Sequence, residues 1–152
     1  MEGTERTATP WHLWVIGALS LLWNAGGAYD YVMTQSRNMD YLQMAADNAE
    51  VPLEMVLDYF GGFPAWADMF WALGVWGAVG GSLLLLLRSR FAFHAFIASI
   101  IGIAGTTAYS VTSDMPDELS SPFAIFFSAA IVIVTLALAF YAKKQTSAGV
   151  LR

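Results

Sequence analysis

Four stretches of this chain run almost without charge: Trp11 to about Thr34, Pro64 to Leu87, Phe91 to about Thr112, and Pro122 to Ala142. At 1.5 Å per helical residue, each is long enough to cross a hydrocarbon core about 30 Å thick. In lipid the backbone must satisfy its own hydrogen bonds, so an isolated apolar stretch of this length is helical. The expected fold is therefore an all-α membrane protein with four transmembrane helices. The prolines agree with these boundaries. Pro10, Pro52, Pro64, Pro116 and Pro122 all lie outside the helix interiors. Pro64 and Pro122 stand where a helix begins, a position at which the missing N–H does no harm.

Composition excludes the alternatives. The chain of 152 residues is 57% hydrophobic and 12% charged, against roughly 25% charged in an ordinary soluble domain. Its aromatic content is too high for a disordered chain. A net charge of -5 argues against a nucleic-acid partner, which calls for a basic face. The absence of cysteine removes disulfides, thiolate metal sites and thiol nucleophiles. A cleaved signal peptide is the rival reading of the first stretch, with Ala25-Gly26-Gly27-Ala28 as the cleavage site. The leading segment opposes it, because Glu2 and Glu5 offset Arg6. The apolar pattern also continues past the site through Tyr29, Tyr31, Val32 and Met33.

Lysine and arginine orient the spans. Arg6, Arg88, Arg90, Lys143, Lys144 and Arg152 fall on one side, and Arg37 stands alone on the other. The chain is thus expected to be N-in and C-in. The acids show the opposite bias. Asp40, Asp47, Glu50, Glu54, Asp58, Asp114, Asp117 and Glu118 lie outside, with Asp30 and Asp68 near the outer edge.

The outer connection, residues 35–63, is long for a bare loop and is expected to have structure. Leu53, Val56, Leu57 and Phe60 follow the spacing of an amphipathic helix, with Glu50, Glu54 and Asp58 forming an acidic face opposite. A second short helix is expected from Met39 to about Asp47, capped by Asn38. The pair either lies flat at the interface or forms a lid or partner surface. Trp11, Trp14, Tyr29, Tyr31, Trp66, Tyr109 and Tyr141 sit near span ends, as headgroup-level anchors do.

Small residues mark close packing. Gly74, Gly77 and Gly81 lie on the second span, Gly102 on the third, and Gly26 and Gly27 on the first. In lipid such residues let helix backbones approach, which makes the second span the expected centre of the bundle. They serve equally well for self-association. The fourth span, rich in Phe, Ile and Val, is expected to face lipid or an apolar partner.

Polar residues inside a span are the default functional candidates. Asn24, Asp30, Tyr31 and Asp68, with Tyr109 reaching in from the third span, form a candidate polar pocket open to the outside. Two close carboxylates there would hold a proton or cation. Structural roles compete at each position. Asp68 suits a helix N-terminus, Asp30 suits the interface, and Asn24 suits an interhelical hydrogen bond. His12 and His94 both open spans near the inner surface. They lie too close to the interface for a buried haem, so no cofactor is expected and no metal site is read. Without HExxH, a nucleophile elbow, a P-loop or CxxC, no enzyme is expected.

Trp23-Asn24-x-x-Gly27-x-x-Asp30-Tyr31, Thr34-Gln35-Ser36-Arg37-Asn38, Gly62-Phe63-Pro64-Ala65-Trp66, Val75-Trp76-Gly77 and Gly81-Ser82-Leu83 together carry a resemblance. The chain resembles a family of small bacterial inner-membrane proteins with four spans, often labelled "sugar transporter". The likeness covers mainly the first two spans and their link. It implies the four-span topology and directs attention to Asn24, Asp30, Tyr31 and Arg37. The repeated halves with broken helices found in large secondary carriers are not evident in the sequence. Two functions follow as expectations. One is a non-enzymatic accessory or assembly subunit of a membrane complex. The other is a small oligomeric transporter or channel for a solute, a sugar or a cation. The expected partners are the bilayer and other membrane subunits or further copies of the chain.

Overall fold

The computed structural model describes residues 8–113 and 115–152. The expectations for Glu2, Glu5, Arg6 and Asp114 concern positions outside these residues. In chain order the helices are α1 (Trp11–Gln35), α2 (Met39–Ala49), α3 (Leu53–Gly61), α4 (Ala65–Leu86), α5 (Ala92–Thr112) and α6 (Pro122–Ser147). A 3₁₀ turn at Asp117–Leu119 links α5 to α6.

Three helices among the described residues are long and apolar enough to cross a membrane: α4, α5 and α6. The fourth expected stretch, Trp11 to about Thr34, falls on α1. α1 is long, at 25 residues. Its apolar content is diluted by His12, Ser20, Asn24, Asp30 and Gln35, and by three glycines at Gly17, Gly26 and Gly27.

α4 and α5 form an antiparallel hairpin around the turn at residues 87–91, and α1 packs along α4. Glycine sets how closely the hairpin closes. A Cβ on Gly77 would lie 2.8 Å from the Ser99 backbone nitrogen, and one on Gly81 would lie 2.7 Å from the Phe96 ring. Gly102 and Gly74 meet backbone to backbone, tighter still. Ser99 then donates from Oγ to the Gly74 carbonyl at 2.6 Å. By contrast, Gly26, Gly27 and Gly80 have open space where a Cβ would be. Gly26 and Gly27 therefore do not serve close packing, which corrects that reading, whereas Gly17 packs tightly against the Leu86 side chain.

The main core lies at the end of the bundle that carries the α4–α5 turn. Leu13, Leu85, Ala92, Phe96, Leu138 and Ala142 converge there from four helices. Val150 and Leu151 seal it, each 3% exposed. The tail is held by backbone bonds. Arg152 N–H donates to the Arg88 carbonyl at 2.8 Å, and Arg90 N–H to the Arg152 carbonyl at 3.0 Å. His12 Nδ1 lies 2.6 Å from the Tyr141 hydroxyl, tying α1 to α6 at this same end.

The opposite end carries a cap. Leu42, Ala46, Val51 and Val56 form a second small core between α2 and α3, and Leu119 of the 3₁₀ turn packs against it. Glu50, Glu54 and Asp58 are exposed. α6 follows the bundle closely only at the turn end. There Leu138, Ala139 and Ala142 are buried, while towards the cap Phe123, Ile125 and Phe126 are exposed. An almost wholly apolar groove of about 640 Å³ opens between α5 and α6, lined by Ile103, Thr107, Val111, Val132 and Leu136 among others.

Candidate functional site beneath the cap

The site begins with the way α1 ends. Arg37 N–H donates to the Thr34 carbonyl and Asn38 N–H to the Met33 carbonyl, both at 3.0 Å. This paired closure normally places glycine in the left-handed conformation. Here the residue is Arg37, at φ 52°. Asn38 then caps α2, its Oδ1 accepting from Tyr41 N–H at 3.0 Å. The reversal folds α2 and α3 back over the ends of α1 and α4.

A cavity of about 110 Å³ lies beneath the cap. Thr34, Gln35 and Arg37 line it from the end of α1, and Asp68 and Trp71 from the first turns of α4. Leu42, Leu57, Phe60, Gly61 and Phe63 complete the wall. Gln35 Nε2 donates to Asp68 Oδ1 at 3.0 Å. Arg37 shares the cavity with Asp68 without forming an ion pair to it, among the described residues. The guanidinium reaches towards Gly61, where a Cβ would stand 3.8 Å from its Nη2. Phe60 and Trp71 stack at 5.5 Å between centroids with 22° between planes.

The residues singled out in the sequence do not form one pocket. Asn24 is buried against α4, donating from Nδ2 to the Ala78 carbonyl at 3.2 Å and to Ser82 Oγ at 2.9 Å. It is an interhelical fastening, away from the cavity. Asp30 is exposed and accepts from the Tyr41 hydroxyl at 2.6 Å. Tyr31 meets Trp71 edge-on at 5.0 Å. Tyr109 donates to the Gly62 carbonyl at 3.3 Å and packs on Phe63. Of the candidate set, Asp68 alone lines the cavity. The paired-carboxylate idea therefore lacks its second carboxylate, because Tyr41 engages Asp30 elsewhere.

Burial, then the Asp30 hydrogen bond, pushes the Tyr41 phenol above its ordinary range. Burial also raises the Tyr59 phenol of α3, with Ser110 opposing and Tyr109 adding to the shift. His12 is engaged with Tyr141, whereas His94 sits between the rings of Phe91 and Phe93. Among the described residues, no group of three or more His, Cys, Asp or Glu side chains is arranged to hold a metal ion.

Sequence reading missed Thr34 and Gln35 as cavity residues. Arg37 drew attention only through the resemblance. The available signal was Ser36-Arg37-Asn38 directly after an apolar helix, which marks a reversal and therefore residues brought under whatever follows. No family model, no curated protein and no solved structure matches the chain.

Proposed function

We propose that the chain is a four-span, N-in and C-in protein of a bacterial inner membrane, acting as a non-enzymatic accessory or assembly subunit of a membrane complex. One observation carries this reading. Polar side chains buried between the candidate spans are already bonded within the protein, Ser20 and Thr135 to carbonyls of their own helices and Asn24 and Ser99 to a neighbouring helix. Asn24 bonds to Ala78 and Ser82, and Ser99 bonds to Gly74. A carrier or channel needs polar groups free to meet a solute at depth. The polar residues buried here serve a static body instead.

α1 is the fourth span in this proposal. Its 25 residues extend about 37 Å as a helix, more than a bilayer core of about 30 Å. Ser20 and Asn24 are buried along its length and Thr34 at its end, while Val15, Leu19 and Leu22 are exposed. The basic residues of the turn end, Arg88, Arg90, Lys143, Lys144 and Arg152, then lie inside. The cap lies outside and presents its acids to a partner.

The cavity with Arg37 and Asp68 favours the second reading, a small oligomeric transporter. Extraction in native lipid followed by native mass spectrometry separates the two. A stable complex with an unrelated membrane protein is expected. A homo-oligomer that supports solute flux in proteoliposomes would replace the accessory reading with the transport one.

A further inference from the structure

We propose that the cavity beneath the cap is a binding site for a small zwitterion, one carboxylate and one ammonium group on a short carbon spacer. The inference stands apart from the accessory reading, since it concerns the open cavity beneath the cap and not what docks on the molecule.

The chemistry of the wall selects the ligand. Arg37 is the only cation among the cavity-lining residues and does not pair with Asp68. A guanidinium presents a planar fork of donors that matches a carboxylate in two places. Asp68 takes one hydrogen bond on Oδ1 from Gln35, and its other oxygen remains an acceptor. Gln35 donates through its amide nitrogen, which leaves its carbonyl oxygen as a second acceptor. An ammonium group fits these acceptors. Phe60 and Trp71 supply the apolar wall for a spacer.

Size narrows the class. An apolar cavity of about 150 Å³ accepts benzene. By proportion the cavity of about 110 Å³ takes a molecule of about four non-hydrogen atoms. Glycine, with one atom more, is the zwitterion nearest that size, and β-alanine, longer by one methylene, tests the upper limit. The backbone is consistent with a role for the arginine. Arg37 holds a left-handed φ of 52°, where glycine is the stable choice, and its side chain, exposed on one side, lines the cavity near Gly61.

The test uses the full chain in lipid nanodiscs and isothermal titration with four probes: glycine, β-alanine, propionate and propylamine. At least one zwitterion is expected to bind saturably with a dissociation constant in about the millimolar range. Propionate and propylamine, each lacking one charged end, are expected to bind at least about tenfold more weakly. Arg37→Gln and Asp68→Asn are each expected to remove measurable binding, while Glu54→Gln on the outer face leaves it unchanged. Thermal melts establish that the variants are folded. Gln35→Leu stands in if Arg37→Gln does not fold, with the same loss expected. The proposal is overturned if neither zwitterion binds the folded parent, which would mean that water alone occupies the cavity. It is overturned equally if the folded cavity variants bind as the parent does, or if propionate or propylamine binds as tightly as the tighter of the two zwitterions.

Discussion

Asn24 illustrates how much one polar side chain in a packed helix can do without chemistry. Its amide reaches two acceptors on α4 at once, one of them a backbone carbonyl. Asn24→Leu removes both bonds and leaves Ser82 without that partner in the interior. The expected loss is about 0.6–2 kcal/mol of stability, read by unfolding in mixed micelles, with zwitterion binding unchanged in the variant that remains folded. Among the described residues, three that are not glycine hold left-handed conformations: Arg37, Glu50 and Arg88. Glu50 ends α2 with its side chain exposed. Glu50→Gly should therefore stabilise the cap by about 1 kcal/mol, visible as slower hydrogen exchange in α2. A destabilised cap would instead give that glutamate a role in the folded state. Tyr41 makes a pH prediction. Its folded phenol titrates above the unfolded value because of burial and the Asp30 bond. Its contribution is thus complete at neutral pH and is lost only as pH climbs through that raised value. Ultraviolet difference titration of the parent against Tyr41→Phe isolates this phenol, and Asp30→Asn should lower its titration point without restoring the ordinary one, since burial remains.

At the scale of elements, the glycines separate into two kinds that composition cannot distinguish. Gly102 has the Gly74 backbone where a Cβ would go, whereas Gly80 faces open space. Gly102→Ala should destabilise the hairpin by about 1–3 kcal/mol through overpacking. Gly80→Ala should stabilise α4 by up to about 1 kcal/mol, the helix-propensity difference. Equal effects from the two substitutions would contradict the α4–α5 contact described above. Helix starts were legible because the signals are local. Pro10, Pro52 and Pro64 each stand immediately before a helix, Pro122 is the first residue of α6, and Asn38 caps α2 with its own side chain. Which face a residue occupies was less legible. Asn24, Gly27 and Tyr31 fall near one line on a helical projection, yet Asn24 is buried and Gly27 exposed, because α4 covers only part of that line. The cavity was the least legible feature. Thr34, Gln35 and Arg37 belong to it only because the chain reverses at Arg37 and carries α3 back across them. A reversal of that kind acts through space, and no periodicity in α1 announces it.

At the scale of the whole molecule, the opposed placement of bases and acids gives the topology a direct test. The native chain has no cysteine, so a single introduced thiol is the only one to label. With the cap outside, Asn48→Cys should react with an impermeant maleimide in intact cells, and Ser147→Cys only after the membrane is opened. The reverse pattern would invert the molecule and remove the acidic outer face from the argument. Apolar packing is concentrated at two places, the core at the turn end and the smaller one in the cap. Between them the hairpin is held by backbone proximity and a few hydrogen bonds. α6 belongs to the first of these places only. Its Leu138–Ala142 stretch is embedded, and its Phe123–Phe126 stretch projects beyond the groove. Yet its tip is tethered, because Leu119, three residues before Pro122, packs on the cap core, and Phe127 meets Trp23 of α1. A rod embedded at one end and pinned near the other bows most between its supports. Changes in lateral pressure in the surrounding lipid will therefore bend α6 along its exposed stretch between Phe127 and Leu138, while the seal made by Val150 and Leu151 stays in place.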